Sequence, residues 1–134
     1  MLKIFDSTIW IDYFRGIQND KTDHLAFCID QNSVAMLGVI VQEVLQGVKN
    51  DTQYELIKDN LLHLPALPDP TVETYAEAAQ LYRSLRKKGL TIRKPNDCLI
   101  AYYALHFGVE LCHNDSDFEL MAAHTQLRIW KPTS

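Results

Sequence analysis

Short apolar runs alternate with helical patterns along this chain, and that alternation limits the fold more than any other feature. "LKIF", "SVAML", "VELC" and "LRIW" read as buried strands. "LLHLPAL" stays ambiguous, because its proline argues against a central strand. Helical patterns lie between them. One covers Thr8 to Arg15 and closes at Gly16; another covers Val39 to Val48. A third starts at Pro70 behind Asp69 as N-cap, carries the stripe Val72, Tyr75, Ala79, Tyr82, and ends at Gly89. A fourth runs from about Asp97 to Gly108 and buries Leu99, Ile100, Tyr103, Ala104 and Phe107. A weaker pattern covers Asp20 to Asp30. Strands alternating with helices imply an α/β fold, with a parallel sheet covered by helices. With 134 residues and no repeats or linkers, the chain reads as one domain over 1–134.

In such sheets ligands bind beyond the carboxyl ends of the strands. The residues there are acidic. Asp6 follows "LKIF"; His113, Asn114 and Asp115 follow "VELC", with Asp117 close behind. Glu43 flanks the apolar stripe of the helix after "SVAML", and Asp97 opens the helix after "RKPN". Each has a plain explanation alone. Asp6 and Asp97 suit helix N-termini, Asp115 suits an Asx-turn, and Glu43 suits a surface position. Together, four carboxylates converge on one crevice with no Arg evident among them. Their mutual repulsion is relieved by a hard divalent cation with oxygen ligands, Mg²⁺ or alternatively Mn²⁺.

Charge and composition narrow the partners. The net charge is −4, so whole-molecule charge gives no nucleic-acid signal. Yet Arg83, Arg86, Lys87, Lys88, Arg93 and Lys94 fall together in "RSLRKKGLTIRK". The stretch reads either as a solvated helix end or as a grip for phosphates. Cys28, Cys98 and Cys112 lack paired spacing and read as reduced core thiols of a cytoplasmic protein. No signal peptide or bilayer-spanning run is expected. The five His lack ligand spacing, which argues against zinc, and His113 reads as structural. No phosphate-cradling glycine loop or nucleophile elbow is present. A phosphatase using Asp6 as nucleophile would, by resemblance, want Asp where Thr8 stands.

The segments "FDSTIWIDYFRG", "VIVQEVLQGV", "TIRKPNDCLIAYYAL" and "HNDSDFELMA" resemble the PIN domain, and within it the VapC-type toxins of bacterial toxin–antitoxin pairs. They span most of the chain in the family's order. The resemblance implies a three-layer α/β/α sandwich with a central parallel sheet. It places the family's acidic quartet on Asp6, Glu43, Asp97 and Asp115, an extra acid on Asp117, and a supporting hydroxyl on Thr8. It implies Mg²⁺-dependent endonucleolytic cleavage of RNA, often structured RNA such as tRNA, together with homodimers and a VapB-like antitoxin partner. Asn114 is either a second donor to the acids or a turn residue. Trp10, Tyr13 and Phe14 are either core or the lining of a groove for an antitoxin helix or a twin subunit. The competing expectation is a PIN-type binding module with a residual metal site, acting through its partners.

Overall fold

The computed structural model describes residues 1–133. Three short parallel strands form its sheet, β1 (Lys3–Phe5), β2 (Val34–Ala35) and β3 (Glu110–Cys112), in the order β2-β1-β3. Ile4 pairs with both Ala35 and Leu111, which makes β1 the central strand. Ile4, Phe5, Val34, Ala35, Leu111 and Cys112 are all buried. Continuous apolar runs are what a parallel sheet covered on both faces requires.

Among the described residues seven helices surround the sheet: α1 (Ser7–Phe14), α2 (Asp20–Asp30), α3 (Gly38–Leu45), α4 (Asp51–Leu62), α5 (Val72–Lys87), α6 (Pro95–Phe107) and α7 (Ser116–His124). They pack in two groups. α1 contacts α2 and α3, and α3 contacts α4; α5 and α7 both contact α6. This is the expected α/β/α arrangement. Local signals explain the helix ends. Asn19 and Thr22 form a capping box on α2. Gly108 closes α6 at φ +64°, a left-handed conformation that costs glycine little. The three cysteines are free and buried, and burial pushes the thiols of Cys98 and Cys112 up to about 11 and about 12. Cys98 and Cys112 stay protonated, and all three side chains pack as small apolar groups. No helix among the described residues is long and apolar enough to cross a membrane.

Several local expectations need correction. "LRIW" contributes only an isolated bridge, Leu111 to Ile129, held by two backbone hydrogen bonds on the outer side of β3. "LLHLPAL" divides: its first two residues finish α4, which the sequence reading did not anticipate, and Ala66 bridges Met36 beyond β2. The cap of α5 is Thr71 rather than Asp69, because Thr71 and Thr74 exchange capping hydrogen bonds and Pro70 lies outside the helix. Most of the stripe assigned to α5 faces outward, and only Tyr82 packs against the core. Val72 is 86% and Tyr75 55% exposed, whereas Ala78 and Leu85 point inward. Phe107, expected in the core, is 40% exposed at the last position of α6. Trp10 is core, while Tyr13 and Phe14 are half-buried.

Candidate metal centre

The topology brings the strand ends together. Asp6 follows β1 directly, and its N–H donates to Cys112 O at 2.9 Å, extending the ladder by one bond. It is the N-cap residue of α1 but makes no side-chain cap bond. Its carboxylate instead accepts from Thr8 Oγ1 at 3.1 Å, as a hydroxyl two residues on allows. Asp115 ends the loop after β3 and caps α7, accepting from Asp117 N at 2.9 Å. Asp97 lies in the first turn of α6, placed there by Pro95 at the first helical position. Glu43 comes from the last turn of α3.

The acids are crowded and poorly hydrated. Asp6, Asp97 and Asp117 are buried. Burial holds the Asp6 carboxyl above its usual range, with Thr8 and Lys94 pulling against it. Asp97 is pushed up to about 7, first by burial and then by the charge of Asp6. Burial and Asp6 also raise Glu43, while the polar side chains of Asn96 and Ser7 work the other way. One oxygen of each of Asp97, Asp115 and Asp117 lies within 4.8 Å of the others, the spacing of a shared cation site. Glu43 Oε1 and Asp97 Oδ2 are buried without a hydrogen-bond partner. Buried acceptors left unpaired are costly. Two of them beside further carboxylates offer the oxygen donors that a hard cation takes, so the donor set fits a divalent metal with oxygen ligands.

One expectation fails here. The acids do have an Arg among them. Arg93 Nη2 donates to Asp115 Oδ1 at 3.0 Å, its Nε donates to Asp117 Oδ2 at 3.3 Å, and Lys94 Nζ lies 3.3 Å from Asp115 Oδ2. Burial raises Asp115, but the Asp117 N–H, Lys94 and Arg93 outweigh it and hold the carboxyl below its usual range. The rest of the basic stretch is spread out. Arg83 shares a groove between α5 and α6 with Arg93 and Asn96. Arg86 lies over the Tyr82 ring, and Lys88 donates to His124 O. Lys87 is exposed in the last turn of α5.

Asn114 reaches none of the four acids. It accepts from Lys21 Nζ at 3.0 Å and donates to Asp12 Oδ2 at 3.4 Å, tying the β3 loop to α1 and α2. His113 is structural, as expected. Its Nδ1 accepts from Asp115 N at 2.9 Å, and Nε2 meets Glu119 Oε1 at 3.1 Å. Ser7 and Asn96 were missed by the sequence reading, although each sits next to an acid that it picked out.

The comparisons with known proteins agree with this geometry. A PIN domain profile matches residues 3–123. The chain belongs to the PIN domain family. VapC ribonuclease Mb1587 of Mycobacterium bovis and ribonuclease VapC11 of Mycobacterium tuberculosis are each 30% identical to this PIN domain over 127 residues, covering 93% of it and 95% of each relative. Among solved structures, VapBC2 of Rickettsia felis bound to a promoter DNA fragment superposes with a TM-score of 0.74 at 20% identity. That match covers 98% of this chain and 100% of the other. VapBC-1 of nontypeable Haemophilus influenzae gives 0.70 at 19%, covering 97% of both chains. At these identities the structural matches speak for the fold.

Proposed function

We propose that this PIN domain is the toxin of a VapBC-type pair, a divalent-metal-dependent endoribonuclease acting as one domain over 1–134 in the cytoplasm. The observation that carries the reading is the pair of buried, unpartnered oxygens on Glu43 and Asp97, which face the other acids. The 30% identity to VapC ribonucleases over nearly the whole chain supports RNA as the substrate.

Asp6, Asp97 and Asp115 hold the metal, Mg²⁺ with Mn²⁺ as substitute, directly or through water, and Asp117 joins them. When bound, the ion lowers the pKa of a water and offsets charge on the phosphodiester. Thr8 fixes the Asp6 carboxylate through its hydroxyl. Glu43, whose Oε1 has no partner within the protein, would either complete this donor set or orient a water held by the ion. Arg83, Arg86, Lys87, Lys88, Arg93 and Lys94 draw the RNA backbone toward a pocket that would otherwise repel it. A groove lined by Ile11, Phe14, Val44 and Ile57, with Arg15 and Lys49 also on its wall, receives an amphipathic antitoxin segment. A VapB-like partner accords with the VapBC neighbours, and a homodimer is part of the same reading.

The test is cleavage of RNA by purified protein with Mg²⁺ and with chelator, beside Asp97→Asn. Metal-dependent cleavage lost in the folded variant supports the reading. The ion pairs of Arg93 and Lys94 with Asp115 favour a second reading, a binding module whose acids are already neutralised. RNA binding without cleavage at any metal concentration would select it.

A further inference from the structure

The acids fall into two electrostatic states. On the α3 and α6 side, Glu43 Oε1 and Asp97 Oδ2 are buried and unpartnered. On the α7 side the oxygens are held. Asp115 Oδ1 accepts from Asp117 N and from Arg93 Nη2, and its Oδ2 faces Lys94. Asp117 Oδ2 accepts from both the backbone N and the Nε of Arg93, each at 3.3 Å. The cations and acids also differ in solvation. The side chains of Arg93 and Lys94 are 66% and 54% exposed, whereas those of Asp115 and Asp117 are 10% and 8% exposed. The two cationic side chains therefore lie between buried carboxylates and solvent.

A divalent ion shared by Asp97, Asp115 and Asp117 needs the Asp115 carboxylate that the two cations now hold. Metal and cations repel at that range, so each weakens the other. An incoming phosphate reaches the exposed guanidinium and ammonium first, and Arg offers it a planar fork of donors. We propose that Arg93 and Lys94 form an exchangeable clamp on Asp115 and Asp117, which an RNA phosphate draws away, so that RNA and divalent metal bind cooperatively. This rests on the ribonuclease reading above.

The backbone makes the exchange local. When the guanidinium leaves, Asp117 keeps its bond from the Arg93 N–H, and Asp115 keeps its bond from the Asp117 N–H. Both carboxylates stay aimed while two solvent-facing side chains change rotamer. Such rotations in exposed residues are fast. Because coupling is reciprocal, metal must tighten RNA by the same factor as RNA tightens metal.

The experiment measures Mn²⁺ binding by the loss of the free-ion electron paramagnetic resonance signal. It uses the native chain, Lys94→Gln, and the double variant Arg93→Gln, Lys94→Gln. Each is titrated with and without a 2′-O-methyl RNA oligonucleotide as a non-cleaved probe, after subtracting Mn²⁺ bound by the oligonucleotide alone. The oligonucleotide should raise native Mn²⁺ affinity at least about five-fold, the lower end of ordinary coupling. The double variant should bind Mn²⁺ at least about five-fold tighter than native without the oligonucleotide and lose most of the gain with it. Lys94→Gln, which keeps the Arg93 contacts, should fall between. Equal Mn²⁺ affinity in all three proteins, or an undiminished oligonucleotide effect in the double variant, overturns the clamp and leaves the ribonuclease reading standing. Absence of Mn²⁺ binding in every protein overturns both.

Discussion

Asp97→Asn in the absence of divalent metal gives a sharp test of the acidic cluster. The substitution keeps the side chain's shape and removes its charge. Asp97 is pushed from 3.8 to about 7, chiefly by burial and then by Asp6. The sign follows from proton counting. Between those values the folded chain holds a proton that the unfolded chain has released, so stability falls as pH rises through the window. Below about 4 both states are protonated and nothing is lost; above about 7 the whole penalty is present. At about 1.4 kcal/mol per pKa unit the ceiling is about 4 kcal/mol. Asp6 and Glu43 are raised by the same crowding, so the protons are shared and the penalty cannot be assigned whole to one residue. About 2 kcal/mol is the working expectation. Urea unfolding in chelator from pH 4 to pH 8 should show native and variant converging at the acid end. At pH 8 the variant should be more stable by about that amount, and saturating Mg²⁺ should remove or reverse its advantage. A pH-independent difference, or a variant less stable than native at pH 8 in chelator, would refute the reasoning.

Other expectations follow from the same geometry. Metal ligands bind in their deprotonated form, so apparent Mg²⁺ affinity should rise about ten-fold per pH unit up to about 7, where Asp97 titrates, and level off above; calorimetric titration at several pH values checks it. Glu43→Gln should lower turnover at least ten-fold, about 1.4 kcal/mol of transition-state stabilisation, whereas a merely surface carboxylate would leave it unchanged in a ribonuclease assay across a Mg²⁺ titration. Arg83→Ala with Arg86→Ala should weaken RNA binding and flatten its salt dependence by roughly one unit of slope per lost phosphate contact, as read by filter binding at graded salt.

The sheet, most helices and the acidic residues were legible because they rest on local signals. Continuous apolar runs mark strands covered on both faces, and Pro95 and Gly108 bracket α6 in the sequence itself. What the sequence hid depends on contacts between distant segments. Helix α4 has one buried residue, Leu61, and so presents little apolar periodicity. The inward face of α5 is set by packing on α6, which turns Ala78 and Leu85 inward and leaves Val72 and Tyr75 at the surface. Arg93 and Asp115 are twenty-two positions apart, and their pairing depends on how the segment before α6 lies against α7. In the sequence Asn114 is open between a donor to the acids and a turn residue, and its side chain turns to Lys21 and Asp12.

The arrangement also explains how a fold of this size tolerates so many acids at one end of its sheet. Three of the four sit where helices begin. Asp6 and Asp115 occupy the N-cap positions of α1 and α7, and Asp97 lies in the first turn of α6. Helix N-termini favour negative charge by about 0.3–1 kcal/mol each, more when partly buried. For Asp115 this adds to the cap bond and to Arg93 and Lys94, and its carboxyl falls below the usual range. For Asp97 the helix end is too little, since burial and Asp6 still drive it to about 7. Glu43 stands in the last turn of α3, where the helix dipole opposes rather than favours its charge. Its buried Oε1 is unpartnered and its nearest strong influence is another carboxylate. The cation-poor side of the crevice is therefore the α3 and α6 side. An added divalent ion relieves the most repulsion there, whereas at Asp115 it must compete with Arg93 and Lys94 for the carboxylate.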